Sequence, residues 1–204
     1  ETMLAGRPFK VEMGKMCGLS NASAMIRYGE TVVMCNVVMS PKPREGVDFF
    51  PLNVEYEEKL YAAGRIPGSF MRREGRPGER AVLTSRVVDR PMRPLFPKEM
   101  RNDVCITMTV MSLDPDCSPE IAGMIGASLV TAVSEIPWNG PIGGVQVGLV
   151  DGEIVLNPTQ EQRRRSDLAL TVAATMDKIV MIEAGANEVD EDTMLNAIKA
   201  AHEE

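Results

Sequence analysis

The chain has 204 residues, 44% of them hydrophobic and 25% charged, with a formal net charge of −7, which suits one substantial globular core. No apolar run approaches the ~18 residues that a membrane-spanning helix needs. One histidine and four cysteines without a CxxC pair exclude a structural zinc site, and Cys17, Cys35, Cys105 and Cys117 read as reduced, packed thiols of a cytoplasmic protein.

Glu1 to Gly6 is short and featureless. Pro8 to Met13 alternates weakly and reads as a strand, and Ala24 to Tyr28 forms another after a turn at Ser20-Asn21. Thr31 to Ser40 has little alternation and predicts a strand buried on both faces. Pro41 to Gly46 breaks it, and Phe50 to Tyr56 is the next strand. Glu79 to Arg90 predicts a helix that Pro91 stops, with Ala81, Val82, Ser85 and Val88 inward. Pro94 and Pro97 then punctuate an extended connection.

Val104 to Ser112 is a strand, and Ser118-Pro119 opens a helix rich in small residues that runs to about Glu135. Gly140-Pro141-Ile142-Gly143-Gly144 lacks the Lys-Ser/Thr of a phosphate loop and reads as a tight turn. Asp151-Gly152 joins Val145–Val150 to Glu153–Leu156 as a hairpin, and Leu168–Ala174 pairs with Ile179–Glu183 as a second. Arg163-Arg164-Arg165 is a charge run in a loop, read as solvated or subunit-facing surface. Asp190 caps a last helix whose apolar face carries Met194, Leu195 and Ile198, and the chain stops within that pattern, as a fragment of a longer protein would. The order predicts an α+β domain with a mixed sheet packed with helices.

Charge is not spread evenly over this frame. Arg65 to Arg101 holds nine Arg and one Lys against Glu74, Glu79, Asp89 and Glu99, so 37 residues carry +6 while the rest of the chain carries −13. Segregated positive charge in an acidic protein marks a place where an anion is held, and a polyanion such as RNA is the commonest partner. Residues 64–78 are too rich in Gly and Pro for a regular element. The loop offers Phe70 for stacking and Arg72, Arg73 and Arg76 for phosphates; Arg86 and Arg90, one helical turn apart, and Arg93 beyond them are candidates for a second band of contacts or for salt bridges.

Tyr61-Ala62-Ala63-Gly64-Arg65-Ile66-Pro67-Gly68-Ser69-Phe70-Met71-Arg72-Arg73-Glu74-Gly75-Arg76-Pro77 and Asp89-Arg90-Pro91-Met92-Arg93-Pro94-Leu95-Phe96-Pro97 resemble the first core domain of the bacterial polynucleotide phosphorylases. Asn139 to Gly143 and Val155 to Thr159 extend the resemblance over nearly the whole chain. Met71 stands where that family usually has a second Phe. The resemblance implies a ribonuclease PH-like core (ribosomal protein S5 domain 2-like) and a phosphate-dependent 3′→5′ exoribonuclease that releases nucleoside diphosphates in mRNA degradation. It implies a homotrimeric ring, degradosome partners in some bacteria, and Mg2+ and inorganic phosphate bound in a second core absent from this chain. A helical linker and KH and S1 domains would complete the protein. On this resemblance residues 1–204 are the first core, with contacts to single-stranded RNA at Phe70, Met71, Arg72, Arg73, Arg76, Arg86, Arg90 and Arg93. The phosphate serines would fall on Ser118-Pro119-Glu120 and the metal aspartates near Pro158 and Arg164, which leaves no catalytic residue here. A non-catalytic ring subunit of the exosome type and a stand-alone ribonuclease PH are the alternatives.

Overall fold

A computed structural model describes all of residues 1–204. Two sheets carry the chain. A six-stranded sheet has the order β1-β2-β3-β4-β6-β5, from β1 (Thr2–Leu4), β2 (Arg7–Met13), β3 (Ala22–Tyr28), β4 (Thr31–Pro43), β5 (Leu52–Glu58) and β6 (Asn102–Ser112). All its pairings are antiparallel except β5 on β6, so this sheet is mixed. A separate antiparallel sheet has the order β10-β9-β7-β8, from β7 (Gly143–Val150), β8 (Glu153–Leu156), β9 (Leu168–Ala174) and β10 (Ile179–Ala186). The mixed sheet expected from the sequence is the six-stranded one; the antiparallel sheet accompanies it, and each has its own apolar cluster.

The larger cluster fills the space between one face of the six-stranded sheet and the helices α1 (Glu79–Met92) and α2 (Pro119–Val133). β4 shows how the sheet is used. Thr31, Val33, Cys35 and Val37 are buried, whereas Val32, Met34 and Asn36 on the other face are half-covered and Val38 is exposed. The expectation of burial on both faces is therefore corrected: helices cover one face only. α2 lies close to that face because Gly126 has no Cβ; one built there would stand 2.8 Å from Ile26 Cγ1. The smaller cluster sits between β7, β9 and α4 (Glu191–Glu203); Ala197 and Ala201 are buried in it and the expected Met194 and Ile198 pack against it half-buried, while Leu195 is exposed.

Four further readings are corrected. The featureless start is β1, hairpinned to β2 through Ala5 and Gly6, both with positive φ. Pro91 does not stop α1: it is buried inside the last turn, and a 3₁₀ turn over Arg93–Leu95 follows without a break. A proline this close to a helix end removes one hydrogen bond, and burial of its ring offsets the loss. Val82, expected to face the core, is exposed, whereas Val88 is buried as expected and Thr84 and Met92 are buried with it. The Arg163-Arg164-Arg165 run is the last turn of a short helix, α3 (Gln160–Arg165), which starts from a capping box between Thr159 and Gln162.

Candidate nucleic-acid interface

The basic loop begins where a 3₁₀ turn (Leu60–Ala63) ends on Gly64, whose φ of 67° is the left-handed conformation a glycine takes freely. It finishes at Gly78, the N-cap of α1. Between them Arg72 N–H donates to Ser69 O at 3.0 Å, and Arg72 itself holds a φ of 50°. This tight turn throws the preceding side chains outward: Phe70 is 99% exposed and Met71 64%. A fully exposed phenylalanine gains nothing from the core, and its position suits a flat apolar partner.

The eight candidate contact residues fall into four groups. Phe70, Met71, Arg72, Arg73 and Arg76 share the loop, and none of these three guanidiniums meets a carboxylate within 4.0 Å. Arg86 is likewise without an acidic partner and lines a groove of about 700 Å3, whose walls also include Tyr56, Glu58, Glu74, Arg76 and Arg80. Arg90 makes a long, exposed contact of 3.8 Å to Glu183 on β10. Arg93 is committed elsewhere. It donates to both carboxylate oxygens of Asp89 and to the carbonyls of Phe50 and Leu52, which fastens the end of α1 to the start of β5. It lies a whole helix away from the loop, roughly 20 Å at 1.5 Å per residue.

Sequence reasoning missed Arg80. It lines the groove with Arg76 and Arg86, but its Nε and Nη2 both donate to Glu120 Oε1 at 3.2 Å. Burial opposes its charge, and the Glu120 carboxylate more than restores it, so its pKa rises. That partner lies 40 residues away in sequence, so no local pattern could have announced the pair.

Glu120 stands in the first turn of α2, at the mouth of a second cleft of about 560 Å3 between α1, α2 and the four-stranded sheet. Its Oε1 also accepts from Thr84 Oγ1 at 3.3 Å, and its Oε2 from Gln146 Nε2 at 3.2 Å. A helix N-terminus favours an anion, and here a resident carboxylate with four donors takes that place. Pro158 lines the same cleft, and Arg164 is exposed on α3. Arg163 donates to the carbonyls of Pro158 and Pro115. No three His, Cys, Asp or Glu side chains come together as a cation cage. The residues present at this cleft fit neither a bound phosphate nor a Mg2+ ion.

Comparison with known proteins follows the division of the fold. Residues 5–137, which hold β2 to β6 with α1 and α2, match the RNase PH model described as 3′ exoribonuclease family, domain 1. Residues 140–204, which hold the second sheet with α3 and α4, match domain 2 of the same family. The chain is 60% identical over 201 residues to a polyribonucleotide nucleotidyltransferase of Ruminiclostridium cellulolyticum, covering 98% of this chain and 29% of that protein. It is 61% identical over 200 residues to the protein of the same name from Lachnoclostridium phytofermentans, again covering 29% of it. The chain therefore spans under a third of the length of these curated relatives. Among solved structures, rice (Oryza sativa) Rrp46 superposes with a TM-score of 0.75 over 95% of this chain and 86% of its own, at 14% identity, a likeness of fold.

Proposed function

The chain belongs to the 3′ exoribonuclease family, and on that premise we propose that it is the RNA-gripping first core of a polyribonucleotide nucleotidyltransferase. In this reading the complete protein degrades RNA from its 3′ end, with inorganic phosphate attacking the terminal phosphodiester and nucleoside diphosphates leaving. The name of relatives at 60% and 61% identity supports it. The observation that carries the role of this core is the loop itself: Arg72, Arg73 and Arg76 without carboxylate partners, beside a phenylalanine that no protein group covers. Guanidiniums neutralise successive phosphates, and Phe70 offers a face on which a base stacks. Met71 adds a softer apolar contact. Arg86 extends the track along α1, with Arg90 beyond it.

Bond cleavage belongs to another part of the protein. Glu120 fills the anion position of its cleft, so phosphate and Mg2+ are held outside this chain. The complete protein is a cytoplasmic homotrimer whose ring passes the strand across this loop, and degradosome components are further partners in some bacteria. An exosome-type ring subunit has only the fold in its favour, at 14% identity.

The test is a salt series. Arg72→Ala with Arg73→Ala in the full-length protein weakens oligo(A) binding and flattens the dependence of log K on log[salt] by about 0.7 for each phosphate that is no longer neutralised. An unchanged slope defeats the reading.

A further inference from the structure

Glu74 is an anomaly in a loop built to hold a polyanion. It interrupts Arg72-Arg73-Glu74-Gly75-Arg76, where a carboxylate subtracts from the field that the guanidiniums create. Its place in the structure differs from that of its neighbours. From Ser69 to Arg80 every residue is exposed except Glu74, which is half-buried. Its side chain turns back to the body of the protein, and Oε1 accepts the backbone N–H of Leu60 at 2.9 Å. Leu60 is the first residue of the 3₁₀ turn that launches the loop, so that N–H has no partner within the turn itself. No other side-chain hydrogen bond ties residues 66–78 to the rest of the chain, and their backbone bonds lie at the two ends or within the Ser69–Arg72 turn.

We propose that Glu74 is the positioning residue of the RNA loop: its carboxylate latches the far limb of the loop to the Leu60 amide and so holds Phe70, Arg72 and Arg73 in one arrangement. This rests on the RNA-binding reading given above. A latched loop has less freedom to lose when a strand arrives, and pre-organisation of this kind appears as affinity. The latch and the charge make opposite demands. If Glu74 acted only as a negative charge, its removal would tighten RNA binding. If it acts as a latch, removal weakens binding even though the loop becomes more positive.

The experiment measures oligo(A) affinity of the full-length protein by fluorescence anisotropy, with Glu74→Ala, Glu74→Gln and Leu60→Pro. Glu74→Ala is expected to bind about fivefold more weakly, a modest share of what a hydrogen bond to a charged group contributes. Glu74→Gln keeps an acceptor oxygen and is expected to bind as well as the native protein or better. Leu60→Pro deletes the donor at a first helical position, where proline is tolerated, after Lys59, which is already extended (φ −68°, ψ 136°). It is expected to reproduce the loss and to add nothing to Glu74→Ala. Equal or tighter binding by Glu74→Ala overturns the latch, as do fully additive losses in the double variant. Arg72→Ala with Arg73→Ala runs alongside: if it leaves affinity untouched, the RNA reading fails, and if it weakens binding while Glu74→Ala does not, only the latch fails.

Discussion

Arg93 and Asp89 face each other one helical turn apart, with Nη2 to Oδ1 at 2.6 Å and Nε to Oδ2 at 2.9 Å. The same guanidinium donates to the carbonyls of Phe50 and Leu52, so its donors are spent on the fold. Arg86, on the same helix, meets no carboxylate and lines an open groove. Two arginines seven residues apart thus do different work.

Exchange of each for alanine separates the roles. Arg93→Ala is expected to lower stability by about 1 kcal/mol, since its ion pair is only partly covered from solvent and its carbonyl contacts are ordinary hydrogen bonds. Its oligo(A) affinity and salt slope stay unchanged. Arg86→Ala is expected to keep its urea midpoint and to lose affinity. Denaturation curves and binding isotherms on the same preparations check both.

Gly126 and Gly123 lie on the face of α2 that meets the large sheet, and they make different demands. A Cβ at Gly126 would stand 2.8 Å from Ile26 Cγ1 and 3.3 Å from Cys35 Cβ, with Cys35 Sγ closer still. At Gly123 the nearest atom is Met108 Sδ at 3.2 Å, in a flexible thioether chain. Gly126→Ala is therefore expected to cost about 1–3 kcal/mol from overpacking. Gly123→Ala is expected to be near neutral, because a helix-propensity gain of about 1 kcal/mol offsets a small shift of Met108. Urea titrations rank the two; a Gly126→Ala protein as stable as the native one contradicts the close approach.

The elements with a local cause are legible in the sequence. The Asp151-Gly152 turn, with φ of 52° and 84°, can be read from two letters because few other residues tolerate those angles. Ser118-Pro119 likewise marks the start of α2, although Ser118 makes no side-chain capping bond. What fails depends on distant partners. Pro91 reads as a stop because proline breaks isolated helices, but burial of its ring against the core keeps the turn in place. The short α3 carries three consecutive arginines and too few residues to show a period. At the site, loop composition marks out the exposed Phe70 and the arginines beside it. Arg93's commitment to the fold, Arg80's pairing with Glu120 and Glu74's inward turn each rest on a contact that the local pattern does not disclose.

Asn157 joins the two sheets. It is buried with a φ of 45°, donates through Nδ2 to Tyr28 Oη at 3.1 Å and accepts Gln146 N–H on Oδ1 at 2.9 Å. Its own carbonyl accepts from Arg7 Nη1 at 2.9 Å. Asn157→Ala leaves the half-buried Gln146 amide without its acceptor and puts a Cβ-bearing residue with no compensating side chain in the left-handed region. A loss of about 2–4 kcal/mol is expected. Asn157→Gly removes the same hydrogen bonds and the strain, so it is expected to be about 1 kcal/mol milder. Thermal unfolding of the pair distinguishes the two contributions.

Asp114 and Cys117 supply a pH test. Burial works against the Asp114 charge, but the backbone N–H groups of Asp116 and Glu30 outweigh it and hold the carboxyl below its ordinary range. A carboxyl whose folded pKa is depressed contributes stability that is present above its unfolded value of about 3.9 and is lost as pH falls through the lower folded value. Asp114→Asn is thus expected to flatten the acid limb of the stability curve below about pH 4 and to leave its slope near neutrality unchanged. Cys117 moves the other way: burial first, then the neighbouring Asp114 charge, pushes its thiol up to about 11. At about pH 8 the native protein should therefore alkylate at the half-buried Cys17 and Cys105 and spare Cys117 and the buried Cys35. Mass spectrometry of iodoacetamide adducts before and after urea unfolding reads this out. Prompt native labelling of Cys117 would mean that the Asp114 turn opens far more readily than its hydrogen bonds allow.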